Sequence, residues 1–188
     1  MEERNEKGYF GKVADKIISS SLKLVYLPEK KISRYLIILI VIGFILRLIA
    51  ALHQDVLADD MVYASQSAGV ISSGILSTHS NPPLFFYLTD FAYNIFGYTT
   101  FASRLWPLIA GTMLIPLLFL ITRRFYNEKI ALGAAFFATF SNFLVRTTFT
   151  EQTLVVLFFI FTGIYFGIIY LDTKKYKWLF LSGMGFGL

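Results

Sequence analysis

Long apolar stretches alternate with short charged segments along most of this chain. Apolar residues dominate 35–52, 104–122, 130–145 and 153–171, and a further apolar run begins at residue 178. A helix needs roughly 20 predominantly apolar residues to cross the hydrocarbon core of a bilayer. The pattern predicts an all-α, polytopic transmembrane helical bundle with spans at about 35–52, 104–122, 130–145, 153–171 and 178–188.

Composition and charge agree with a membrane protein. The 188 residues are 56% hydrophobic and only 15% charged. The chain has no cysteine, which excludes disulfides, thiolate metal ligands and cysteine nucleophiles. The net charge of +5 comes from Lys and Arg residues grouped between the apolar runs, so it indicates membrane topology. We therefore expect membrane lipids as partners and no nucleic acid.

The distribution of basic residues predicts the orientation of the bundle. All but three of the 17 Lys and Arg residues fall in segments 1–34, 123–129 and 174–177, whereas segment 53–103 holds four Asp and no Lys or Arg. Cytoplasmic loops carry an excess of Lys and Arg. We expect a multi-pass protein of the cell membrane with a cytoplasmic N-terminus and 53–103 as an outer loop.

The chain divides into a basic cytoplasmic or interfacial segment, 1–34, and a transmembrane region, 35–188. Within the outer loop, 82–96 is apolar and aromatic, but it is interrupted by Asp90 and is short for a crossing. It is predicted as a helix lying in the membrane plane. The last apolar run holds about eleven residues, which predicts the N-terminal part of a longer protein that is inactive alone.

Two adjacent carboxylates follow the first span. Asp59 and Asp60 are expected at the membrane boundary, where partial desolvation favours a general base or a metal ligand. The alternative is a solvated acid pair or a helix cap before Met61.

A divalent cation site is a further hypothesis. His79 and Glu151 are predicted on the same face as the aspartates, and imidazole and carboxylate groups bind divalent metals. Asn81 would assist. The alternatives are an ordinary polar loop residue for His79 and a salt bridge or helix cap for Glu151.

Three arginines depart from the cytoplasmic pattern: Arg47, Arg104 and Arg146. A guanidinium near hydrocarbon is costly unless it faces protein, water or an anion. Arginines at the outer boundary would suit the phosphate of a lipid-linked substrate, because their donors form a permanently charged fork. The alternative is ion pairing with Asp90, Glu151 or the aspartates of the first loop.

Four segments in order resemble one known class of enzyme. They are ADDMVYA at 58–64, HSNPPLFFYL at 79–88, RLWPL at 104–108 and the outer turn at 146–151. They resemble signatures of the polytopic, lipid-phosphosugar-dependent glycosyltransferases called GT-C. The second is similar to the Pro-Pro-Leu-aromatic segment of the protein O-mannosyltransferase and aminoarabinose transferase branch.

The resemblance implies transfer of a sugar, with inversion, from a polyprenyl-phosphate donor to a hydroxyl of a lipid, glycan or protein acceptor on the outer face. Asp59 matches the catalytic base and Asp60 the neighbouring acid, which is more usually glutamate. The residues expected to bind the donor and its lipid phosphate are Arg104, Arg146, Tyr63 and Asn81.

Two other classes compete with the enzyme. Intramembrane arginines and outer carboxylates also line the paths of transporters and channels, but such a subunit predicts inverted repeats. The sequence contains no second copy of the acidic loop. A noncatalytic membrane scaffold is the third possibility, and it would show binding without turnover.

Overall fold

The computed structural model describes residues 29–56, 58–73, 83–148 and 152–187, with the side chains of Asp59 and Ser73 outside the description. Regular structure in these ranges is helical, which confirms the predicted all-α class. The predicted interfacial segment before residue 29 lies outside the described residues. The helices are α1 (Lys30–His53), α2 (Ala58–Ser67), α3 (Val70–Ser73), α4 (Pro83–Phe96), α5 (Thr100–Phe125), α6 (Glu128–Phe140), α7 (Asn142–Arg146), α8 (Thr153–Thr173) and α9 (Tyr176–Gly187).

Three helices of the described ranges, α1, α5 and α8, are long and apolar enough to cross a membrane. They contain 24, 26 and 21 residues. At 1.5 Å per residue they are about 36, 39 and 32 Å long, and each matches or exceeds a hydrocarbon core of about 30 Å. The chain is thus a helical membrane bundle.

Helix α5 occupies the centre and packs against α1, α4, α6 and α8. It begins where the side chain of Thr99 accepts a hydrogen bond from the Ala102 amide, at 3.2 Å. Pro107 and Pro116 lie inside the helix without ending it. Neighbouring helices can satisfy the backbone groups that such prolines leave free in a membrane. Both ends of α5 therefore belong to one continuous helix.

The region predicted as a single span at 130–145 is divided in two. Helix α6 has 13 residues and ends at Phe140. Ser141 is extended, with φ −60° and ψ 114°, and its hydroxyl accepts from the Leu144 amide to begin α7. Serine favours such a cap because its side chain competes with the helical backbone bonds. Apolar residues lie on both sides of Ser141, so the hydrophobic pattern alone predicted one uninterrupted span.

Helices α8 and α9 form a close hairpin built on small residues. The Ser182 hydroxyl donates to the Gly163 carbonyl at 2.8 Å. A methyl group added at Gly185 would lie 2.7 Å from the Gly163 amide nitrogen. The backbones touch here because neither glycine carries a side chain.

Helix α4 joins the loop helices to the bundle. It contacts α2, α3 and α5. Phe85 and Phe86 are buried in one hydrophobic cluster with Leu114 of α5 and Leu154 of α8. Burying each phenyl ring contributes about 1.5–3 kcal/mol. With 14 residues, α4 is about 21 Å long, too short to span the bilayer. Its in-plane orientation stays a prediction.

Candidate active site at the Asp60–Arg104 pair

A buried ion pair connects the first loop to the central helix. The Arg104 Nη2 atom lies 2.9 Å from the Asp60 Oδ2 atom. The Arg104 residue is 0% exposed and Asp60 is 2% exposed. A charge at such depth is costly unless an opposite charge or hydrogen bonds compensate it, because water cannot solvate it. This pair fixes α2 against the first turns of α5.

The same guanidinium binds the end of α1. Its Nη1 atom donates to the carbonyls of Ala51 and Gln54, each at 2.9 Å, and Nη2 donates to the Asp55 carbonyl at 3.2 Å. The last carbonyls of a helix lack amide partners and carry partial negative charge, so a cation stabilises them. Arg104 thereby joins α1, α2 and α5 through one side chain.

Both predicted catalytic aspartates are placed on α2. Residues 59 and 60 are adjacent on this helix, so they lie about 100° apart around its axis. Asp60 faces Arg104. The side chain of Asp59 lies outside the described residues, and its catalytic role stays a prediction.

The Tyr63 ring packs against two aromatic rings of α4. Its ring meets the edge of Phe85, with centroids 6.2 Å apart, and a tilted Phe86 at 6.3 Å. Edge and tilted contacts suit the charge distribution of aromatic rings. The predicted donor-binding residue thus also holds α2 on α4.

A cavity of about 340 Å³ opens beside Asp60, between α2 and the turn that joins α4 to α5. This volume is within the range of small-molecule sites. Its wall mixes hydroxyl, aromatic and apolar groups, a combination suited to a polar group of monosaccharide size. It is lined by Val56, Asp60, Met61, Ala64, Ser65, Ala68, Tyr93, Tyr98, Thr99, Thr100 and Ser103.

One hydroxyl in this wall has a perturbed acidity. Burial raises the pKa of Tyr93 above its ordinary value. The nearby Tyr98, Asp90 and Asp60 raise this pKa further, and a hydrogen bond with Ser103 opposes them. A phenol with a raised pKa keeps its proton at neutral pH. Tyr93 therefore offers the cavity a hydrogen-bond donor and no added charge.

The second predicted arginine lies on a separate element. Arg146 is exposed at the end of α7 and forms no ion pair within the described residues. Helix α6 runs back along α5 from its C-terminal end, and α7 contacts both α1 and α6. This topology directs α7, and Arg146 at its end, back toward the end of the bundle that carries Asp60. The structure describes no contact between Arg146 and the pair.

Three other predicted site residues lie outside the described residues: His79, Asn81 and Glu151. Within the described ranges, no three His, Asp or Glu side chains come together to hold a metal ion. The divalent cation site, which depended on His79 and Glu151, stays a prediction.

Asp90 has a role that the sequence did not indicate. It was a possible partner for an arginine, yet its carboxylate accepts from the amides of Gly69, at 3.0 Å, and Ile71, at 2.8 Å. Asp90 is buried and caps the start of α3 from a distant helix. No local signal reveals such a contact, because donor and acceptor are 19 and 21 residues apart. The cavity residues Tyr93, Tyr98 and Ser103 were missed for the same reason.

The fold and the site define an integral membrane helical bundle in which helix α2 is held to the central span by a buried acid–arginine pair. A comparison with family models matches residues 80–188, more than half of the chain, to the dolichyl-phosphate-mannose-protein mannosyltransferases. Comparisons with curated proteins and with solved structures give no significant match. The chain belongs to the dolichyl-phosphate-mannose-protein mannosyltransferase family, a family of membrane glycosyltransferases of the GT-C type.

The matched segment includes Arg104 and Arg146 but begins after α2. The resemblance to GT-C enzymes is thus confirmed at the level of the family. The family match does not include Asp59 and Asp60, so their proposed roles depend on the resemblance of residues 58–64 and on the geometry of α2.

Proposed function

We propose that this chain transfers a sugar from a polyprenyl-phosphate carrier to an acceptor hydroxyl on the non-cytoplasmic face of the membrane. The family description names dolichyl-phosphate-mannose as donor and protein as acceptor. A base removes the proton of the acceptor hydroxyl, and the oxygen attacks the anomeric carbon. The bond between that carbon and the phosphate oxygen breaks, which releases polyprenyl phosphate and inverts the anomeric centre.

The observation that carries the proposal is the ion pair of Asp60 and Arg104. It fixes the acidic helix α2 at the end of the central span, where a lipid phosphate and an aqueous acceptor meet. Catalytic groups act efficiently when the protein fixes their positions, because the entropy of orienting them is then lost on folding and not in the reaction step. Asp60 is engaged with Arg104, so we assign proton transfer to Asp59.

The donor phosphate is assigned to Arg146. Arg104 uses the four N–H donors of its two Nη atoms on Asp60 and on three carbonyls, which leaves only its buried Nε, and we assign it to holding the site together. Arg146 is exposed on α7, which follows a helix that runs back toward this end of the bundle. A guanidinium there suits a phosphate leaving group, whose charge increases as the bond breaks.

The opposite end of the bundle supports the proposed orientation. There Arg124 pairs with Asp172 at 2.9 Å, and exposed lysines follow at 174, 175 and 177. Basic residues concentrate on the cytoplasmic side of membrane proteins. The end that carries Asp60 would then face outward.

The proposal is tested by Asp59→Asn in the intact protein, reconstituted in vesicles with a polyprenyl-phosphate sugar. We expect transfer to fall by about 10²-fold or more, the effect of losing a general base, with membrane insertion unchanged. Glu29→Gln is the matched control, since it makes the same chemical change at the other end of the bundle. Full activity of Asp59→Asn would refute the assignment.

A further inference from the structure

Arg47 is a fully buried cation within a membrane-spanning helix, yet no part of the proposed reaction uses it. It is 0% exposed and lies on α1 between α5 and α6. No carboxylate among the described residues is within ion-pair distance of its guanidinium. A charge held in this way at membrane depth is costly, so its contacts indicate what it does.

The guanidinium connects two helices through their backbones. Nη1 donates to the Gly43 carbonyl one turn earlier on α1, at 3.0 Å, and Nη2 donates to the Ala138 carbonyl of α6, at 2.9 Å. Ala138 is in the last turn of α6, which ends at Phe140. Carbonyls of a last turn have no amide partner one turn further on, and a cation there also offsets the negative end of the helix dipole.

Two glycines make room for this side chain. A methyl group at Gly43 would collide with Ile115 and would lie 3.1 Å from Arg47 Nη1, and one at Gly111 would lie 3.0 Å from Arg47 Nε. The stem of Arg47 therefore fills space that any larger residue at Gly111 would occupy. The fit is close on both α1 and α5, which holds the guanidinium in one position.

The contact lies directly before the break that starts the second outer turn. Ser141, three residues after Ala138, leaves the helical conformation, and α7 follows with Arg146 at its end. Helix α7 packs against α1 and α6. The position of Arg146 thus depends on how the end of α6 is held against α1.

We propose that Arg47 is a positioning residue for the second outer turn: it ties the end of α6 to α1 and so determines where α7 places Arg146. The effect of Arg47 on donor binding, through Arg146, rests on the proposed function. Arg47 is fully buried, so it does not touch the donor itself. It acts through its hydrogen bond to the Ala138 carbonyl.

The geometric part is tested by spin labels on α1 and α7. Leu52→Cys and Phe143→Cys give two exposed labelling positions, and the natural chain has no cysteine to compete. We expect Arg47→Met to broaden the distance distribution between them about twofold, because methionine cannot donate to the Ala138 carbonyl, which has no amide partner in its own helix. A second pair at Ile160→Cys and Phe180→Cys, on α8 and α9, should be unchanged and reports that the bundle is folded.

Matched variants separate the contact from a general change in packing. Thr112→Val removes a buried hydroxyl beside Gly111 that bonds only its own helix, at the Leu108 carbonyl, and should leave the α1–α7 distribution narrow. Arg47→Gln should broaden it less than Arg47→Met, because the glutamine keeps two N–H donors but carries them on a side chain two atoms shorter, which reaches the Ala138 carbonyl only if α6 moves. A folded Arg47→Met protein with the natural distribution would overturn the inference. If that variant does not fold, a natural distribution in Arg47→Gln overturns it equally.

The catalytic part is read from steady-state kinetics with a polyprenyl-phosphate sugar. Displacing Arg146 should lower kcat/KM for the donor about tenfold, with part of the loss in kcat because the phosphate gains charge as its bond to the sugar breaks. Arg146→Ala should then add little to Arg47→Met, since both remove the same contact. Additive effects would overturn the proposed path through α7. The label distances need no activity, so they stand even if Asp59→Asn shows the proposed function to be wrong.

Discussion

Arg104 and Asp60 meet in a 2.9 Å ion pair although they are 44 residues apart in the chain. The same arginine binds three carbonyls at the end of α1. The pair therefore does two things at once: it neutralises a buried acid and holds helix α2 against the bundle.

Breaking this pair should destabilise the protein strongly. Arg104→Met leaves the Asp60 carboxylate buried without its cation, and such a loss costs about 3–5 kcal/mol. We expect a large fall in the midpoint of thermal unfolding in detergent. In the double variant with Asp60→Asn, the loss should be smaller than the sum of the single losses. Strictly additive losses would show that the two side chains do not interact.

Asp90 should control the order of the segment around α3. Asp90→Ala removes the acceptor for the amides of Gly69 and Ile71, which costs about 1–3 kcal/mol for buried groups. Hydrogen exchange at these two amides should become faster. Asn94→Ala, an exposed change one turn away on α4, should leave both amides protected. Equal protection in the two variants would contradict the cap.

The hairpin of α8 and α9 should be sensitive to a single methyl group. In Gly185→Ala the new methyl would meet backbone atoms of Gly163 and the Phe159 carbonyl within 3 Å, so the helices must separate. Overpacking of this kind costs about 1–3 kcal/mol. Thermal unfolding should show the loss.

Gly183→Ala provides the control for that change. It makes the same substitution on α9, but the added methyl has no neighbour within 4 Å. Alanine is favoured over glycine within a helix by about 1 kcal/mol, so stability should stay equal or rise. Equal losses at Gly183 and Gly185 would show that helix contact is not the cause.

The ion pair of Arg124 and Asp172 should tolerate exchange of its partners. Both side chains are largely buried, and the guanidinium donates through two nitrogens. Asp172→Ala should cost about 1.5–3 kcal/mol, the range for hydrogen bonds to charged groups. Arg124→Asp combined with Asp172→Arg should restore part of it, as measured by thermal unfolding. Lys175→Gln, an exposed change nearby, should have little effect; no recovery in the exchanged variant would argue against a direct pair.

The sequence alone predicted the helical class and the regions of α1, α5 and α8, because apolar length is a direct physical requirement of a bilayer. It also singled out Asp60 and Arg104. It did not decide between a phosphate clamp and an ion pair for Arg104, since that choice depends on which chain segments meet. The break at Ser141 and the cap formed by Asp90 were not predicted, because each depends on a single hydroxyl or on a distant amide.

The contact between Arg47 and Ala138 also constrains the order in which the protein assembles. The carbonyls and the acid that bind Arg104 are all synthesised before it, whereas Ala138 follows Arg47 by 91 residues. Helix α1 thus enters the bilayer carrying a charge that costs about 2.5–3.5 kcal/mol at the centre of a lone span. Its docking is completed only when α6 has left the ribosome, so α1 is made before α5 and α6 yet reaches its final place no earlier than α6.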